Sequence, residues 1–245
     1  MSQDVLKAFY EKDSERFWDP RNGLVGRDIH IAALAEAASG TVLEYGCGSG
    51  SLLLSLAKMS KFEKAFGVDI AENALKKVNE AWNDISAENG LKKSKVKCFA
   101  PENDLMPNIK SNSCDLVITC DTLEHVLDPF VVVSELARIT KPGGSMIISV
   151  PNYGYLKYIV CLLLGRQPVT GGAGALESWR HGGWDGWHLH TFTLQSVRHL
   201  AESSGWTVQK ITGYGEKFDI FPISYLRRNL PHLFSGALTL MCHKS

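Results

Sequence analysis

The ten residues TVLEYGCGSG, from Thr41 to Gly50, contain the pattern that decides the fold. An apolar, β-branched run ends in the acid Glu44, glycines follow at 46, 48 and 50, and an apolar helical segment begins at Ser51. This order predicts a strand, a tight turn and the first turn of a helix. Because glycine has no Cβ, such a turn can adopt positive φ angles and bring its backbone directly against a ligand.

Predicted strands and helices alternate downstream of this turn. Parallel strands with helices on both faces are continuous apolar runs in a sequence, and the strands here have that composition. The sequence therefore predicts an α/β fold with a doubly wound sheet and helices on both faces. The predicted strands are 41–45, 64–69, 95–99, 114–120 and 145–150, and the predicted helices are 51–60, 71–89 and 128–140, with a turn KPGG before the fifth strand.

The segments on either side of this region have different patterns. Residues 1–40 predict two helices, which we expect to form an N-terminal cap ahead of the sheet. Residues 151–192 break the alternation with a helix near Tyr155 to Leu164 and a tract rich in glycine and tryptophan. The helix pattern is amphipathic or buried, and burial is favoured. A loop of this length is typical of a lid or a substrate insertion. We expect its tryptophans to cover the substrate; they are Trp179, Trp184 and Trp187.

The C-terminal part returns to regular structure. A helix is predicted over 193–204 with Thr193 as its N-cap, followed by a strand from Trp206 and a last strand, ALTLMCHK. These elements complete a single domain over residues 1–245.

Composition narrows the class of protein. Lys plus Arg and Asp plus Glu both number 26, so no global positive field attracts nucleic acid, and we expect none as a partner. The charged N-terminus has no apolar secretory core, and the longest apolar run cannot span a bilayer. The six cysteines form no C-x-x-C pair, which indicates free, buried thiols in a reducing compartment. We therefore predict a soluble, cytoplasmic enzyme whose oligomeric state stays open.

The glycine turn could bind either of two kinds of nucleotide ligand. A dinucleotide fingerprint G-x-G-x-x-G requires a third glycine where this chain has Ser51. Glu44 would repel a pyrophosphate but would attract a cationic ammonium or sulfonium group. Asp69, at the end of the next strand, supplies two acceptor oxygens for a ribose diol. These features favour a cationic adenosine ligand over a nicotinamide dinucleotide.

Four stretches together resemble the class I S-adenosylmethionine-dependent methyltransferases. They are VLEYGCGSG (42–50), GVDI (67–70), CDLVITCDTLEHVLDP (114–129) and ITKPGGSMIISVPN (139–152). The stretches LEHVLDP, PNYGYLKYIVCLLLG and HLHTFT look most like the small-molecule branch that includes ubiquinone-type O-methyltransferases. The resemblance implies a mostly parallel sheet of seven strands in the order 3-2-1-4-5-7-6, with the last strand antiparallel.

The resemblance also implies a set of residues that bind S-adenosylmethionine. Asp69 would hold the ribose hydroxyls, with Ile70 against the adenine, while the glycine turn would line the methionine part. The family places an Asp shortly before Leu-Pro at the adenine edge, but this chain reads FAPENDLMP. Glu102, Asn103 and Asp104 are therefore all candidates, with Asp104 and Glu102 ranked nearly equal. The full predicted set is Glu44, Gly46, Cys47, Gly48, Gly50, Asp69, Ile70, Glu102, Asp104, Cys120 and Asp121. Tyr10 and Trp18 in the cap are expected to close the pocket from the other side.

Histidines are the candidate general bases, since imidazole accepts a proton near neutral pH. His125 follows the fourth strand, and His188 and His190 lie at the end of the insertion. His181 and Asp185, with the last two, also have a spacing that could bind a metal, but histidines in a glycine-rich tract more often contact substrate or solvent. The prediction is therefore a base without a metal.

The predicted function is transfer of a methyl group from S-adenosylmethionine to an oxygen or nitrogen of a small molecule. The alternatives are a cofactor-binding regulator of a partner enzyme and a nicotinamide-dependent oxidoreductase. If the acceptor is a lipid, the apolar segment 155–164 would allow peripheral contact with a membrane.

Overall fold

The computed structural model describes residues 2–14, 19–170, 188–215 and 222–244. Strands in this part of the chain form one sheet in the order β3-β2-β1-β4-β5-β7-β6. The pairings from β3 to β5 are parallel, whereas β7 runs antiparallel to both β5 and β6. The predicted strand order and antiparallel last strand are confirmed. The strands are β1 Gly40–Tyr45, β2 Phe62–Val68, β3 Val96–Phe99, β4 Cys114–Cys120, β5 Thr140–Pro151, β6 Trp206–Tyr214 and β7 Ala237–Lys244.

Helices cover both faces of this sheet. Their bounds are α1 Gln3–Asp13, α2 Arg27–Ala35, α3 Ser51–Lys58, α4 Glu72–Glu88, α5 Pro129–Ile139, α6 Leu156–Leu163, α7 Leu194–Ser203, α8 Ile223–Asn229 and the single turn α9 Pro231–Phe234. Short 3-10 turns lie at Pro20–Asn22 and Lys93–Lys95. The KPGG segment, which the sequence predicted to be a turn, is instead part of β5, where the pairing with β4 shifts register.

Two apolar clusters, one on each face, stabilise the sheet. α2, α3 and α4 pack on one face, and α5 and α7 pack on the other. The middle of β4 contributes to both clusters, because Leu116, Val117 and Ile118 are each at most 1% exposed. Full burial of such a side chain contributes roughly 1.5–3 kcal/mol relative to exposure. This two-sided burial is the reason that the strands are continuous apolar runs.

Side-chain caps fix the starts of two helices on the second face. Asp128 accepts hydrogen bonds from the backbone N–H groups of Phe130 and Val131, and a proline occupies the first position of α5. Thr193 and Ser196 form a reciprocal capping box at the start of α7, which confirms Thr193 as the N-cap. Such caps contribute about 1 kcal/mol each.

The N-terminal helix α1 docks on the start of α4 through specific contacts. The carboxylate of Glu11 accepts hydrogen bonds from the N–H groups of Glu72 and Asn73, at 2.7 and 3.1 Å, in the first turn of α4. Lys7 pairs with the side chain of Glu72, and Leu6 is buried. These contacts place α1 as a cover beside the carboxyl ends of the strands.

The structure corrects the expectation for helix α6. The sequence predicted a buried helix, but in the part of the chain that the structure describes no residue of α6 is buried. Leu163 is 80% exposed, and Leu164, just after the helix, is 66% exposed. The apolar composition of this segment therefore does not reflect packing against the sheet. No helix among the described residues is long and apolar enough to cross a membrane.

The two ends of the 151–192 insertion meet. The N–H of Tyr153 donates to the carbonyl of Phe192 at 2.7 Å, and Asn152 forms an isolated bridge with the same residue. The buried amide of Asn152 donates to the carbonyls of His232 and Ser235. The insertion thus leaves and rejoins the domain at one point. Its tryptophans 179, 184 and 187, and Trp18 of the cap, lie outside the described residues.

All six cysteines are free thiols, as predicted. Four of them are buried, but Cys98 and Cys161 are only half-buried, so the expectation of burial was wrong for these two. Cys98 lies on β3 and Cys161 lies on the exposed helix α6.

Candidate active site

A cavity of about 310 Å³ lies at the carboxyl ends of β1, β2 and β4, under α1 and α2. Ligands of open α/β sheets bind at this edge. Many of the residues predicted from the sequence line it: Glu44, Gly46, Cys47, Gly48, Asp69, Ile70, Asp104, Cys120, Asp121 and His125. Tyr10 of α1 lines it as well. Four predicted residues do not line it, namely Gly50, Glu102, His188 and His190.

Two glycines of the turn leave no room for a Cβ, because neighbouring side chains lie against their backbone. Gly46 has φ +75°, and a Cβ there would lie 2.1 Å from the hydroxyl oxygen of Thr122. Gly50 has φ +79°, and a Cβ there would lie 2.7 Å from Val78 of α4. Gly46 therefore lets the turn pass the loop after β4 at the cavity, whereas Gly50 lets α3 pack against α4 away from the cavity.

Asp69 connects the glycine turn to helix α4. One carboxylate oxygen accepts from the N–H of Gly48 at 2.8 Å, and the other accepts from the N–H of Ala71 at 2.9 Å. Burial raises the pKa of this carboxyl, and the two hydrogen bonds oppose that rise. Each oxygen keeps further lone-pair capacity, so the carboxylate can still accept from a ribose diol in the cavity.

Glu44 is a buried acid on the cavity wall. Burial, and then the nearby Asp28, raise the pKa of Glu44 well above its usual value; Arg27 and a hydrogen bond from the Leu53 N–H oppose that rise. Its Oε2 accepts no hydrogen bond from any residue that the structure describes. A buried carboxylate oxygen without a partner is costly, and a cationic group in the cavity would relieve that cost.

Arg27, at the start of α2, is a cavity residue that the sequence analysis missed. It forms ion pairs with Asp121 and Asp28. Its Nε is buried and donates to no described residue. Asp121 has φ +46°, an uncommon conformation for a residue other than glycine. No motif marks Arg27 in the sequence, because it comes from the cap rather than from a strand end.

The two candidates for the adenine edge differ in position. Asp104 lines the cavity and accepts from the hydroxyl of Tyr45 at 2.9 Å and from the Gln3 amide at 3.3 Å. Glu102 is held in a backbone bridge with Leu105 and does not line the cavity. This placement favours Asp104.

The thiols of the cavity are held in their neutral form. A hydrogen bond with Cys98, followed by burial, raises the pKa of Cys47 well above its usual value. Burial does the same to the pKa of Cys120. A protonated thiol is a poor nucleophile, so these residues act as small apolar wall groups.

Glu124, His125 and His188 form a cluster that reaches the cavity through His125. The Nε2 atoms of both histidines lie 3.9 Å from Oε1 of Glu124, whose side chain is 1% exposed. The imidazole rings meet edge to face, with centroids 4.7 Å apart. Only His125 of the three lines the cavity. Glu124 was not singled out from the sequence, since its partner His188 lies in a distant segment.

His190 is not part of this cluster. Its Nε2 lies 2.9 Å from the carbonyl oxygen of Val126, and it does not line the cavity. His181 and Asp185, which the sequence spacing grouped with His188 and His190, lie outside the described residues.

Comparison with known proteins identifies the family. A family model described as a methyltransferase domain matches residues 17–211. The chain belongs to this methyltransferase family. The class I S-adenosylmethionine-dependent methyltransferase predicted from the sequence is confirmed, and with it the cofactor, S-adenosylmethionine. The nicotinamide alternative is set aside.

Curated relatives of this methyltransferase cover part of the chain. It is 28% identical over 159 residues to a ubiquinone biosynthesis O-methyltransferase of Methylococcus capsulatus, which is 61% of this chain and 62% of that protein. It is 31% identical over 124 residues to the mitochondrial ubiquinone biosynthesis O-methyltransferase of Dictyostelium discoideum, which is 50% of this chain and 38% of that protein. The chain thus matches less than two thirds of the length of these relatives.

Solved structures agree with the fold of the methyltransferase. A SAM-dependent methyltransferase from Aquifex aeolicus superposes with a TM-score of 0.57 at 17% identity, over 100% of both chains. One from Thermotoga maritima, described as a possible histamine N-methyltransferase, superposes with a TM-score of 0.62 at 13% identity, also over 100% of both chains. At these identities the likeness concerns the fold alone.

The cavity chemistry fits the cofactor of this family. The methionine part of S-adenosylmethionine carries one ammonium and one carboxylate group. The cavity offers a buried acceptor without a partner, Oε2 of Glu44, and a buried donor without a partner, Nε of Arg27, within the described part of the chain. Two unsatisfied atoms of opposite character in one cavity match such a zwitterion.

Proposed function

We propose that this methyltransferase transfers the methyl group of S-adenosylmethionine to a hydroxyl oxygen of a small molecule. The observation that carries the proposal is one cavity with two different walls. Asp69 and the glycine turn line one part of it, and His125 lines another part. A cavity built in this way supports binding of a nucleoside cofactor beside a group that can take a proton.

Four side chains are proposed to hold the cofactor. Asp69 would accept from the ribose hydroxyls, and Asp104 would read the adenine edge. Glu44 would bind the ammonium group, and Arg27 would bind the carboxylate of the methionine part. Glu44 is buried and the other three are half-buried, which favours strong charge-assisted hydrogen bonds because water competes poorly at such sites.

The chemistry requires alignment and exclusion of water more than bond-making by the protein. S-adenosylmethionine, when bound, supplies an electrophilic methyl group on a sulfonium. The chain's part is to align the acceptor for in-line displacement and to keep water out. Leu6 and Tyr10 of α1 cover the cavity, which supports this second role. The proton of the acceptor hydroxyl leaves on the side of His125.

The names of the curated relatives support an oxygen rather than a nitrogen acceptor. Both are named as O-methyltransferases of ubiquinone biosynthesis. We therefore propose a hydroxyl oxygen as the acceptor for this chain as well. The lid role of residues 151–192, the cytoplasmic location and the absence of a nucleic-acid substrate stay predictions.

A turnover assay tests this proposal. The purified protein is incubated with S-adenosylmethionine labelled in the methyl group and with a panel of phenols, catechols and aliphatic or aromatic amines. We expect labelled product and S-adenosylhomocysteine with at least one hydroxylic acceptor. Calorimetric binding of the cofactor without transfer to any acceptor would support the regulator alternative. Transfer to amines alone would overturn the oxygen assignment.

A further inference from the structure

We propose that Asp28, on helix α2, makes this site bind the cationic cofactor S-adenosylmethionine in preference to its neutral product, S-adenosylhomocysteine. Asp28 lines the cavity but is not among the four side chains proposed to hold the cofactor. The two ligands differ only by the methyl group and the positive charge of the sulfonium. The inference rests on the proposed function, because it uses the places assigned there to the ammonium and carboxylate groups of the cofactor.

The wall of the cavity carries more negative than positive charge. Among the described residues that line it, five are acids, and Arg27 is the only lysine or arginine. The acids are Asp28, Glu44, Asp69, Asp104 and Asp121. At about 310 Å³ the cavity is small enough that a cation inside it lies within about 10 Å of these charges, the distance over which salt leaves charges unscreened. The wall as a whole therefore attracts a cationic ligand.

The positive charge of Arg27 is divided between two carboxylates. Its guanidinium forms ion pairs with Asp121 and with Asp28, where Nη2 lies 3.5 Å from Oδ1. Burial raises the pKa of Asp28, and the pairing with Arg27 opposes that rise without cancelling it. A half-buried carboxylate that is only partly compensated is stabilised by a further positive charge. Asp28 can therefore interact favourably with a second cation in the cavity.

Asp28 acts on the same part of the cavity as Glu44. After burial, the charge of Asp28 is the main cause of the raised pKa of Glu44. Burial is also the main cause of the raised pKa of Cys120, and Glu44 and Asp28 both add to it. Glu44 is 6% exposed, and its Oε2 accepts no hydrogen bond from the part of the chain that the structure describes. A cation near the two carboxylates relieves the repulsion between them.

The sulfonium is the group of the cofactor that Asp28 would attract. In the proposed arrangement Glu44 pairs with the ammonium group and Arg27 pairs with the carboxylate. Arg27 then compensates Asp28 less, and the sulfonium of S-adenosylmethionine supplies a positive charge in its place. The thioether of S-adenosylhomocysteine supplies none. Since both ligands carry the same ammonium and carboxylate groups, those contacts cancel in the ratio of the two dissociation constants.

Methyl transfer removes this attraction. The S–CH3 bond breaks and its electron pair stays on sulfur, while the methyl carbon forms a bond to the acceptor oxygen, whose proton leaves on the side of His125. The sulfonium thereby becomes a neutral thioether. The nucleoside product has lost the positive charge that Asp28 attracts, so the acidic wall holds it less tightly than the cofactor. The charge of Asp28 thus favours exchange of product for fresh cofactor.

Calorimetric titration of the full chain, dialysed free of cofactor, tests the inference. The ligands are S-adenosylmethionine, S-adenosylhomocysteine and sinefungin, an unreactive analogue in which a CH–NH3⁺ group replaces the S⁺–CH3 group. We expect the parent to bind both cationic ligands at least about 5-fold more tightly than S-adenosylhomocysteine. Asp28→Asn should reduce this preference to about 2-fold or less, through weaker binding of the two cations. A residue that only supported the fold would change all three affinities together.

An acid outside the cavity provides the matched control. Asp84 is exposed on α4, pairs with Arg21 at 3.1 Å and does not line the cavity. Asp84→Asn should bind the three ligands as the parent does. If circular dichroism shows that Asp28→Asn is unfolded, Asp121→Asn takes its place, since asparagine tolerates the φ of +46° at that position. It removes the other acid that pairs with Arg27 and should also lower the preference.

Two results would overturn the role of Asp28. One is a parent protein that binds S-adenosylhomocysteine as tightly as the two cationic ligands. The other is an equal loss of affinity for all three ligands in Asp28→Asn, which would mean that the substitution acts through the fold or through Arg27.

Failure of the charge preference and failure of the proposed function give different results. Methyl transfer to a hydroxylic acceptor, by a parent protein that binds the three ligands equally, would overturn the role of Asp28 and leave the function intact. A preference for cations that is lost in Asp28→Asn, in a protein that methylates no acceptor, would support the role of Asp28 and overturn the proposed function.

Discussion

The two parts of the cavity are built in different ways. The part proposed to bind the cofactor, called the cofactor part below, comes from the ends of adjacent strands, with Glu44 on β1, the glycine turn after it, and Asp69 just after β2. The histidine cluster instead joins the loop after β4 to His188, at the end of the insertion. Sheet geometry therefore fixes the cofactor part, whereas the cluster depends on how one long segment returns to the domain.

This difference predicts how each part responds to substitution. Changes at the cofactor part should alter cofactor affinity together with local stability, because the same groups bind the ligand and hold the strand ends. Changes at the cluster should alter turnover and leave cofactor affinity intact.

The largest effect on cofactor affinity is expected for Asp69→Ala. The substitution removes the proposed acceptor of the ribose hydroxyls and also the hydrogen bonds to Gly48 and Ala71. We expect a loss of ~1–3 kcal/mol in binding free energy, which is about 5- to 150-fold in affinity. Calorimetric titration with S-adenosylhomocysteine measures it.

Asp128→Ala separates the ligand role of Asp69 from its capping role. Asp128 caps α5 much as Asp69 bonds the start of α4, but it does not line the cavity. Its replacement should lower the free energy of unfolding by about 1 kcal/mol and leave cofactor affinity unchanged. Equal losses of affinity in both variants would show that Asp69 acts through stability alone.

The contrast between the two parts also explains what the sequence could predict. The individual strands, the glycine turn and Asp69 were accessible because each lies within a short run of residues with a clear pattern, whereas the strand order came from the family resemblance. Arg27 was missed, since it reaches the cavity from the cap helix without a motif. The exposure of α6 was missed because an apolar run looks the same whether it packs against a sheet or not.

A smaller, pH-dependent effect is expected at Glu44. Its raised pKa means that acid conditions neutralise it, so affinity for the cationic cofactor should fall as pH falls through that pKa. Glu44→Gln removes the charge at every pH. We expect the variant to bind about 10-fold more weakly than the parent at pH 8 and to show a smaller difference at pH 5.5. Calorimetry at several pH values measures this.

The pH dependence of thermal stability tests the raised pKa of Glu44 independently of cofactor binding. Burial raises the pKa of Glu44 in the folded protein above its value in the unfolded chain. The contribution of protonated Glu44 to the free energy of unfolding is therefore fully present below the pKa of the unfolded chain. That contribution is lost as pH rises through the pKa of the folded protein. Asp28, Arg27, Asp69, Cys47 and Cys120 face this carboxyl and are unchanged in the variant. Unliganded Glu44→Gln should therefore melt at a higher temperature than the parent at pH 8. Parallel pH profiles of the two proteins would contradict the assignment.

The histidine cluster was not predictable in the same way, although each histidine was a candidate. Sequence proximity grouped His188 with His190, but the fold turns them to different partners. His188 meets Glu124 and His125, while His190 meets the carbonyl of Val126. Long-range pairing of this kind leaves no local pattern.

The smallest effect is expected for His190→Ala, which the sequence alone ranked as a candidate general base. Since its Nε2 bonds the Val126 carbonyl and the side chain does not line the cavity, the substitution should cost about 1 kcal/mol of stability and change kcat by less than about 3-fold. His199→Ala serves as the control for loss of an imidazole. A 100-fold fall in kcat with unchanged cofactor affinity would restore His190 as the base. The proton would then leave on the side of the insertion, and the histidine cluster would no longer define the acceptor part of the cavity.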